Sequence, residues 1–197
     1  LAIARHFAEQ GANVMFADMD EASLQKEVGG DSDQSNLQYF AGDLREKLTI
    51  ANLLSATLDS FDRVDILINA SRQMMASDLL DLNDNSVETL LSQNFMTSLR
   101  LSQLIATRMI KQSGSQSEGQ VGAIVNLSSI AGRRAHPQLL GYSVSTAALD
   151  QMTRAMAVAL APHRIRVNAV AFGSVMSASL QDMLKDNSDF RSDIEKH

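Results

Sequence analysis

Short apolar runs recur along this chain, each closing on a polar or turn-forming residue and each separated from the next by a helix-length stretch. The runs are Ala12–Ala17, Leu37–Ala41, Val64–Ile68, Val121–Leu127 and Ile165–Ala171. The residues that follow them are Asp18, Gly42 with Asp43, Asn69, Ser128 with Ser129, and Phe172 with Gly173. A mostly apolar run of this length, such as Ala12–Ala17, fits a strand covered on both faces rather than a half-solvated one. Between the runs, Asp20–Val28, Glu46–Phe61, Asn85–Gln112 and Tyr142–Ala161 read as helices, and Gly29–Gly30 and Pro162 read as stops. The loops are expected at Asp31–Asn36 and at the Ser/Gly/Gln-rich stretch Ser113–Gln120. Strict alternation of strand and helix predicts βαβ units, and therefore an α/β fold with a doubly wound parallel sheet and helices on both faces.

The chain opens inside a pattern rather than before one. Ile3, Ala4, Phe7 and Ala8 recur at helical spacing from Leu1, and Gly11 stands where a helix C′ residue belongs. A chain that starts in mid-helix is expected to lack a preceding strand and loop. The 197 residues suffice for one core. No linker, repeat or low-complexity block divides them, so residues 1–197 are read as a single domain. The net charge of −6 argues against a nucleic-acid or anionic-membrane partner. Neither a leader pattern nor a bilayer-length apolar run is evident, which makes the cytoplasm the expected compartment. The absence of cysteine excludes disulfides, thiolate metal ligands and a cysteine nucleophile. His6, His136, His163 and His197 are isolated, so no metal is expected. The ten methionines read as gap-fillers on helix faces.

Ligands of open α/β sheets bind beyond the carboxyl ends of the strands, so the residues just after each run carry the chemistry. Asp18 has two readings. A carboxylate there can accept from a ribose diol and repel a 2′-phosphate, or it can cap the helix that follows. Ser129 and Tyr142 form a second candidate pair. A hydroxyl beside a phenol can hold a carbonyl oxygen while the phenol gives or takes its proton. A phenol in water ionises near pH ~10, so the chemistry needs a cation close by. The plain alternative is a packing tyrosine at a helix start.

The run Asn126-Leu-Ser-Ser-Ile-Ala-Gly132, then Tyr142-Ser-Val-Ser-Thr-Ala-Ala148, then Ile165-Arg-Val-Asn-Ala-Val-Ala171 resembles the short-chain dehydrogenase/reductase family in order and spacing. Gly42-Asp43-Leu44, Val64-Asp-Ile-Leu-Ile-Asn69 and Asn94 match further blocks, and the likeness spans Leu1 to about Ser179. The resemblance implies a Rossmann-like sheet of seven strands that binds NAD(P), with the first and last strands missing from this chain. It implies that Ser129 polarises a carbonyl/alcohol substrate, Tyr142 is the acid/base and Asn94 orders a proton-relay water. Asp43 and Leu44 would flank adenine, and Asn69, with Ala70 beside it, would face the adenosine side. Gly173, Val175 and Ser177 would lie near the nicotinamide, and Asp18 would favour NAD over NADP. Residues 174–197 would begin a substrate lid. A homodimer or homotetramer would be built on the Asn85–Gln112 and Tyr142–Ala161 helices.

The departures are as informative as the matches. The family's Tyr-x-x-x-Lys reads Tyr142-x-x-x-Thr146. Residues i and i+4 share a helix face, but a hydroxyl carries no charge to stabilise a phenolate. The nearest basic residues in the sequence are Arg133, Arg134 and His136 on the preceding loop, and a substitute cation is expected from these. The family's Asn-Asn-Ala-Gly turn reads Asn69-Ala70-Ser71-Arg72, where Arg72 adds bulk and charge or meets a phosphate. Phe172 replaces the usual proline before Gly173. Two functions follow: an NAD-dependent oxidoreductase with an altered site, or a pseudoenzyme that keeps the fold as a binding or structural subunit.

Overall fold

Helical crossovers join every consecutive pair of strands, as the alternating pattern requires. The structure is a computed structural model and describes residues 2–28, 36–115, 118–173 and 175. Helix α1 spans Ala2–Glu9 and ends as expected: Gly11 takes φ 84° and its N–H donates to Ala8 O at 2.9 Å. Only a residue without Cβ adopts that φ at no steric cost. Strand β1 (Val14–Asp18), α2 (Glu21–Val28), β2 (Leu37–Ala41), α3 (Lys47–Phe61) and β3 (Ile66–Asn69) follow. Then come α4 (Ser86–Leu90), a π-helical turn (Leu91–Met96), α5 (Thr97–Ser113), β4 (Gly122–Ser129), α6 (Leu140–Leu160) and β5 (Ile165–Phe172).

All strand pairing among these residues is parallel. β1 pairs with β2, bringing Asp18 opposite Ala41. β4 lies between β3 and β5, with Asn69 opposite Asn126 and Ser129 opposite Phe172. The architecture is Rossmann-like α/β with parallel strands, as expected, and the described strands form two sheets, of two and three strands. Among the described residues no strand pairs with the second edge of β1 or of β3. Apart from β2, the strands end one to two residues later than in the sequence reading, so that Asp18 and Asn69 become the last residues of their strands. The expected stop at Gly29–Gly30, most of the Asp31–Asn36 loop, Ser177 and nearly all of the expected lid lie outside the described residues.

The core gathers around β4, whose Ala123 and Ile124 are buried. Ile105, Ala106 and Met109 of α5 pack with Ile124 of β4 and with Ile165 and Val167 of β5. Gly122 opens β4 where Met109 crosses it: a Cβ there would stand 2.5 Å from Met109 Sδ. Buried Met109 thus fills the gap against a bare backbone, as the sequence reading of the methionines expected, whereas Met19 is 68% exposed. Polar links stitch the layers as well. Asn69 Nδ2 donates to Asn126 Oδ1 (2.7 Å) and to Ser102 Oγ (3.0 Å), and Asn126 Nδ2 donates to Thr153 Oγ1 (2.8 Å). These bonds join β3, β4, α5 and α6 through groups that burial would otherwise leave unpaired at a cost.

Candidate active site

Tyr142 stands in the first turn of α6 and is 4% exposed. Its place is fixed by the crossing of α6 over the start of α4. A Cβ on Gly141 would stand 2.8 Å from the Ser86 carbonyl, so only glycine admits this approach. The Gly141 N–H donates to Ser77 Oγ at 3.0 Å, and Ser86 Oγ donates to the same oxygen at 2.7 Å.

The phenol has a cationic partner that the sequence reading did not assign. Arg72 Nη1 donates to Tyr142 Oη at 3.1 Å. Of the expected substitute cations, Arg133 is engaged elsewhere: its Nε faces the buried Asp150 carboxylate at 3.5 Å, two helical turns beyond Tyr142. The cation bonded to the phenol is thus Arg72, on the turn after β3, and not Arg133. The separation of seventy positions hid the contact, since no periodicity links a loop to a helix so distant in sequence. A signal was present: one charge is lost at Thr146 and another gained at Arg72, both in family blocks.

Asn94 holds the turn that carries Arg72. Its Oδ1 accepts from the Gln73 N–H (2.7 Å) and its Nδ2 donates to the Gln73 carbonyl (2.9 Å) and to Ser145 Oγ (3.2 Å). Ser145 Oγ in turn donates to the Tyr142 carbonyl at 2.9 Å. The side chain comes from the π-helical turn, not from the unbroken helix expected over Asn85–Gln112. Such turns insert an extra residue and re-aim the side chains around it.

Thr146 is buried, and its hydroxyl donates to the Tyr142 carbonyl at 2.9 Å, with the Ser143 carbonyl at 3.2 Å. It is thus turned back onto its own helix. Ser129 ends β4 and accepts from the Ala131 N–H at 3.2 Å, capping a short 3-10 turn, Ile130–Gly132. That turn lies against α6: a Cβ on Gly132 would meet the Ala147 nitrogen at 3.1 Å.

A cleft of about 470 Å³ opens at the carboxyl ends of β1, β2 and β3. Asp18, Asp43, Leu44, Ala70 and Arg72 line it. A hollow of about 550 Å³ lies at the other end, by Gln120 and the first residues of β5. Position in the fold favours the smaller one, because α/β sheets bind ligands beyond their carboxyl ends. Asp18 Oδ1 accepts from the Asp20 N–H at 3.1 Å. The helix cap is Asp20 rather than Asp18: Asp20 accepts from the Ser23 N–H (3.1 Å) and hydroxyl (2.5 Å), which hold its carboxyl below the usual range. Asp43 is gripped by Arg45, whose Nε lies 2.9 Å from both carboxylate oxygens, and this lowers the Asp43 carboxyl too. Asn69 is buried and turned toward Ser102 and Asn126, while Ala70 presents that turn to the cleft. Gly173 has open space where a Cβ would be, and Val175 is 52% exposed.

A family profile described as enoyl-(acyl carrier protein) reductase matches residues 1–197. The chain belongs to the short-chain dehydrogenase/reductase family. It is 31% identical over 185 residues to an uncharacterised oxidoreductase of Thermotoga maritima, covering 91% of this chain and 68% of that protein. It is 28% identical to the L-fucose dehydrogenase of Mus musculus, covering 98% and 67% of the two chains. An apo SCOR enzyme from Clostridium thermocellum superposes with a TM-score of 0.76 at 26% identity, covering 92% of this chain and 70% of that one. A short-chain dehydrogenase from Streptomyces avermitilis shares the fold, with a TM-score of 0.77 at 22% identity over 90% of this chain and 63% of that one. Membership of the short-chain dehydrogenase/reductase family makes this chain an oxidoreductase by type and implies a nicotinamide dinucleotide. The residues present fit one: the cleft carries a carboxylate, Asp18, suited to a ribose diol, apolar or small wall at Leu44 and Ala70, and a guanidinium, Arg72, that can face phosphate. No described helix is long and apolar enough to cross a membrane.

Proposed function

We propose that this protein transfers hydride between NAD(H) and the carbonyl/alcohol pair of a small molecule. The observation that carries this reading is the cleft at the strand ends, lined by Asp18 and by Arg72, whose guanidinium donates to Tyr142. The nicotinamide supplies or accepts the hydride. Asp18 holds the adenosine ribose hydroxyls and disfavours a 2′-phosphate by charge. Leu44, Ala70 and Asp43 would form the wall on the adenine side, and Gly173 and Val175 would border the nicotinamide side. Ser129 donates to the substrate oxygen. Tyr142 exchanges the proton on that oxygen, and Asn94 holds the turn that faces it. Residues 1–197 act as one dinucleotide-binding domain, and the protein assembles as a homodimer or homotetramer through α5 and α6.

Calorimetric titration of the full-length protein with NADH and NADPH tests the cofactor assignment. Tighter binding of NADH supports it, and Asp18→Ser should narrow the gap. Equal or reversed preference in the wild type overturns the role of Asp18. Aldoses and polyols open the substrate screen, because one relative is an L-fucose dehydrogenase and another an L-xylulose reductase.

One observation favours a second reading. The Thr146 hydroxyl is spent on helix carbonyls, which leaves the lysine's position without charge. A pseudoenzyme that keeps the fold to bind a partner is consistent with that. Absence of binding to either dinucleotide would favour it.

A further inference from the structure

We infer that Arg72 is the positioning residue that replaces the charge lost at Thr146, acting on Tyr142 from the turn after β3. The inference rests on the catalytic reading above, since it names what makes Tyr142 competent as an acid/base.

Three observations carry it. First, the contact itself has a direction. A guanidinium has donors only and keeps its charge throughout the physiological range. Arg72 Nη1 at 3.1 Å therefore donates to the phenol oxygen, leaving the phenol proton for another acceptor. A donor and a positive charge on an oxygen both favour its ionised form. Second, the phenol needs such a partner. Tyr142 is 4% exposed, and a phenolate buried that far from water is costly unless paired. Thr146 gives nothing, with its proton directed at helix carbonyls, and Arg133 faces Asp150. Third, the contact is built rather than incidental. The backbone of Gln73, next to Arg72, is held on both its N–H and its carbonyl by Asn94, and Asn94 is tied through Ser145 to the carbonyl of Tyr142 itself. The turn that carries the cation and the helix that carries the phenol are thus joined by hydrogen bonds at two places.

The chemistry balances with this charge in place. In the oxidative direction the substrate O–H bond breaks and its proton passes to the Tyr142 oxygen. The C–H bond breaks with its electron pair, which leaves as hydride to the oxidised nicotinamide, and the carbon–oxygen double bond forms. Arg72 pairs with the phenolate before that step, and the ion pair becomes a hydrogen bond to the neutral phenol after it.

The test reads Tyr142 directly. The chain has two tyrosines and no tryptophan, so the tyrosinate absorbance band is nearly free of background. Subtracting the Tyr142→Phe protein isolates one phenol. In the full-length protein, Tyr142 should ionise at lower pH with Arg72 than with Arg72→Ala, and Arg72→Lys should recover part of the shift. Turnover at neutral pH should fall by roughly 10²–10⁴-fold in Arg72→Ala, the range of general acid–base catalysis, and Thr146→Lys should restore much of it. The acidic limb of the kcat/KM profile should move with the absorbance. An Arg72→Ala protein whose Tyr142 ionises at the wild-type pH overturns the inference, as does one with raised turnover, which would make Arg72 a plug. A shifted absorbance with no turnover in any variant supports the Arg72–Tyr142 coupling and overturns the catalytic reading instead.

Discussion

At the scale of single residues, the site separates into groups that face a ligand and groups that face the protein. Thr146 is of the second kind. Its hydroxyl returns to the carbonyls of Tyr142 and Ser143, a bond that competes weakly with the helix's own. Thr146→Ala should therefore leave kcat/KM within about two- to threefold of wild type. Loss of the hydroxyl is offset by the better helix propensity of alanine, so stability should change by less than about 1 kcal/mol. Steady-state kinetics and urea midpoints check both. A large loss of activity would mean that the hydroxyl turns outward during the reaction. Asn94 is the opposite case among buried side chains. Asn94→Ala leaves the Gln73 N–H and carbonyl without their partner and frees the turn that carries Arg72. A cost of roughly 1–3 kcal/mol is expected from the unpaired groups, with a drop in kcat larger than any change in KM. Unchanged kcat would separate the Gln73 clamp from catalysis.

At the scale of elements, the crossing of α4 and α6 sets where Tyr142 stands. Gly141→Ala puts a methyl 2.8 Å from the Ser86 carbonyl, and backbone cannot swing aside as a side chain does. The two helices must part, at a cost of about 1–3 kcal/mol for an overpacked contact. The urea midpoint should fall accordingly, and the Tyr142 absorbance should change because its helix has moved. The same junction responds to acid. Asp84 accepts from the Ser86 and Asp78 N–H groups at 2.7 Å each, and its carboxyl is held below the ordinary 3.8 first by the Ser86 side chain and then by these two N–H groups. A lowered carboxylate stabilises the fold above its ordinary value, and that contribution is lost as pH falls through its folded value. The gap in stability between wild type and Asp84→Asn should be full at neutral pH and close below about 3.8. A gap that persists in acid would assign the role of Asp84 to shape rather than charge. The elements themselves were legible in the sequence because burial writes a period into it: Leu37–Ala41 was found at its true bounds, and β4, α3 and α6 within two residues. The π-helical turn was not legible, since Leu91–Met96 has ordinary helix-forming residues and its extra residue follows from tertiary packing. Nor was the contact of Arg72 with Tyr142, which depends on how a turn and a helix from separate βαβ units meet. Ser129 and Tyr142 were singled out by their chemistry at a strand end and a helix start and Asn94 by a family block, whereas Gln73, whose backbone Asn94 holds, had no signal of its own.

At the scale of the whole molecule, burial is uneven across the sheets in a way that predicts how these 197 residues behave alone. Parallel strands of α/β proteins are normally covered on both faces and paired on both edges. β4 meets that description, with most of its residues buried. β1 has no buried residue at all, although Val14, Met15, Phe16 and Ala17 are all apolar, and Ile66 of β3 is 46% exposed. Both strands also keep an edge without a partner among the described residues. Apolar faces beside open edges favour pairing with other copies over a closed monomer. Expressed as residues 1–197 alone, the chain should bind a hydrophobic dye, scatter light on warming and lack a sharp reversible transition. Within it, amides of β4 should exchange most slowly, because the cluster of Ile105, Met109, Ile124, Ile165 and Val167 closes around them. Those of β1 and β2 should exchange faster. Calorimetry at two concentrations decides the first point, and exchange mapping the second. A cooperative, concentration-independent and reversible melt would mean that the β1–β2 and β3–β4–β5 units seal against each other without a strand between them, and protection in β1 equal to that in β4 would say the same by an independent route.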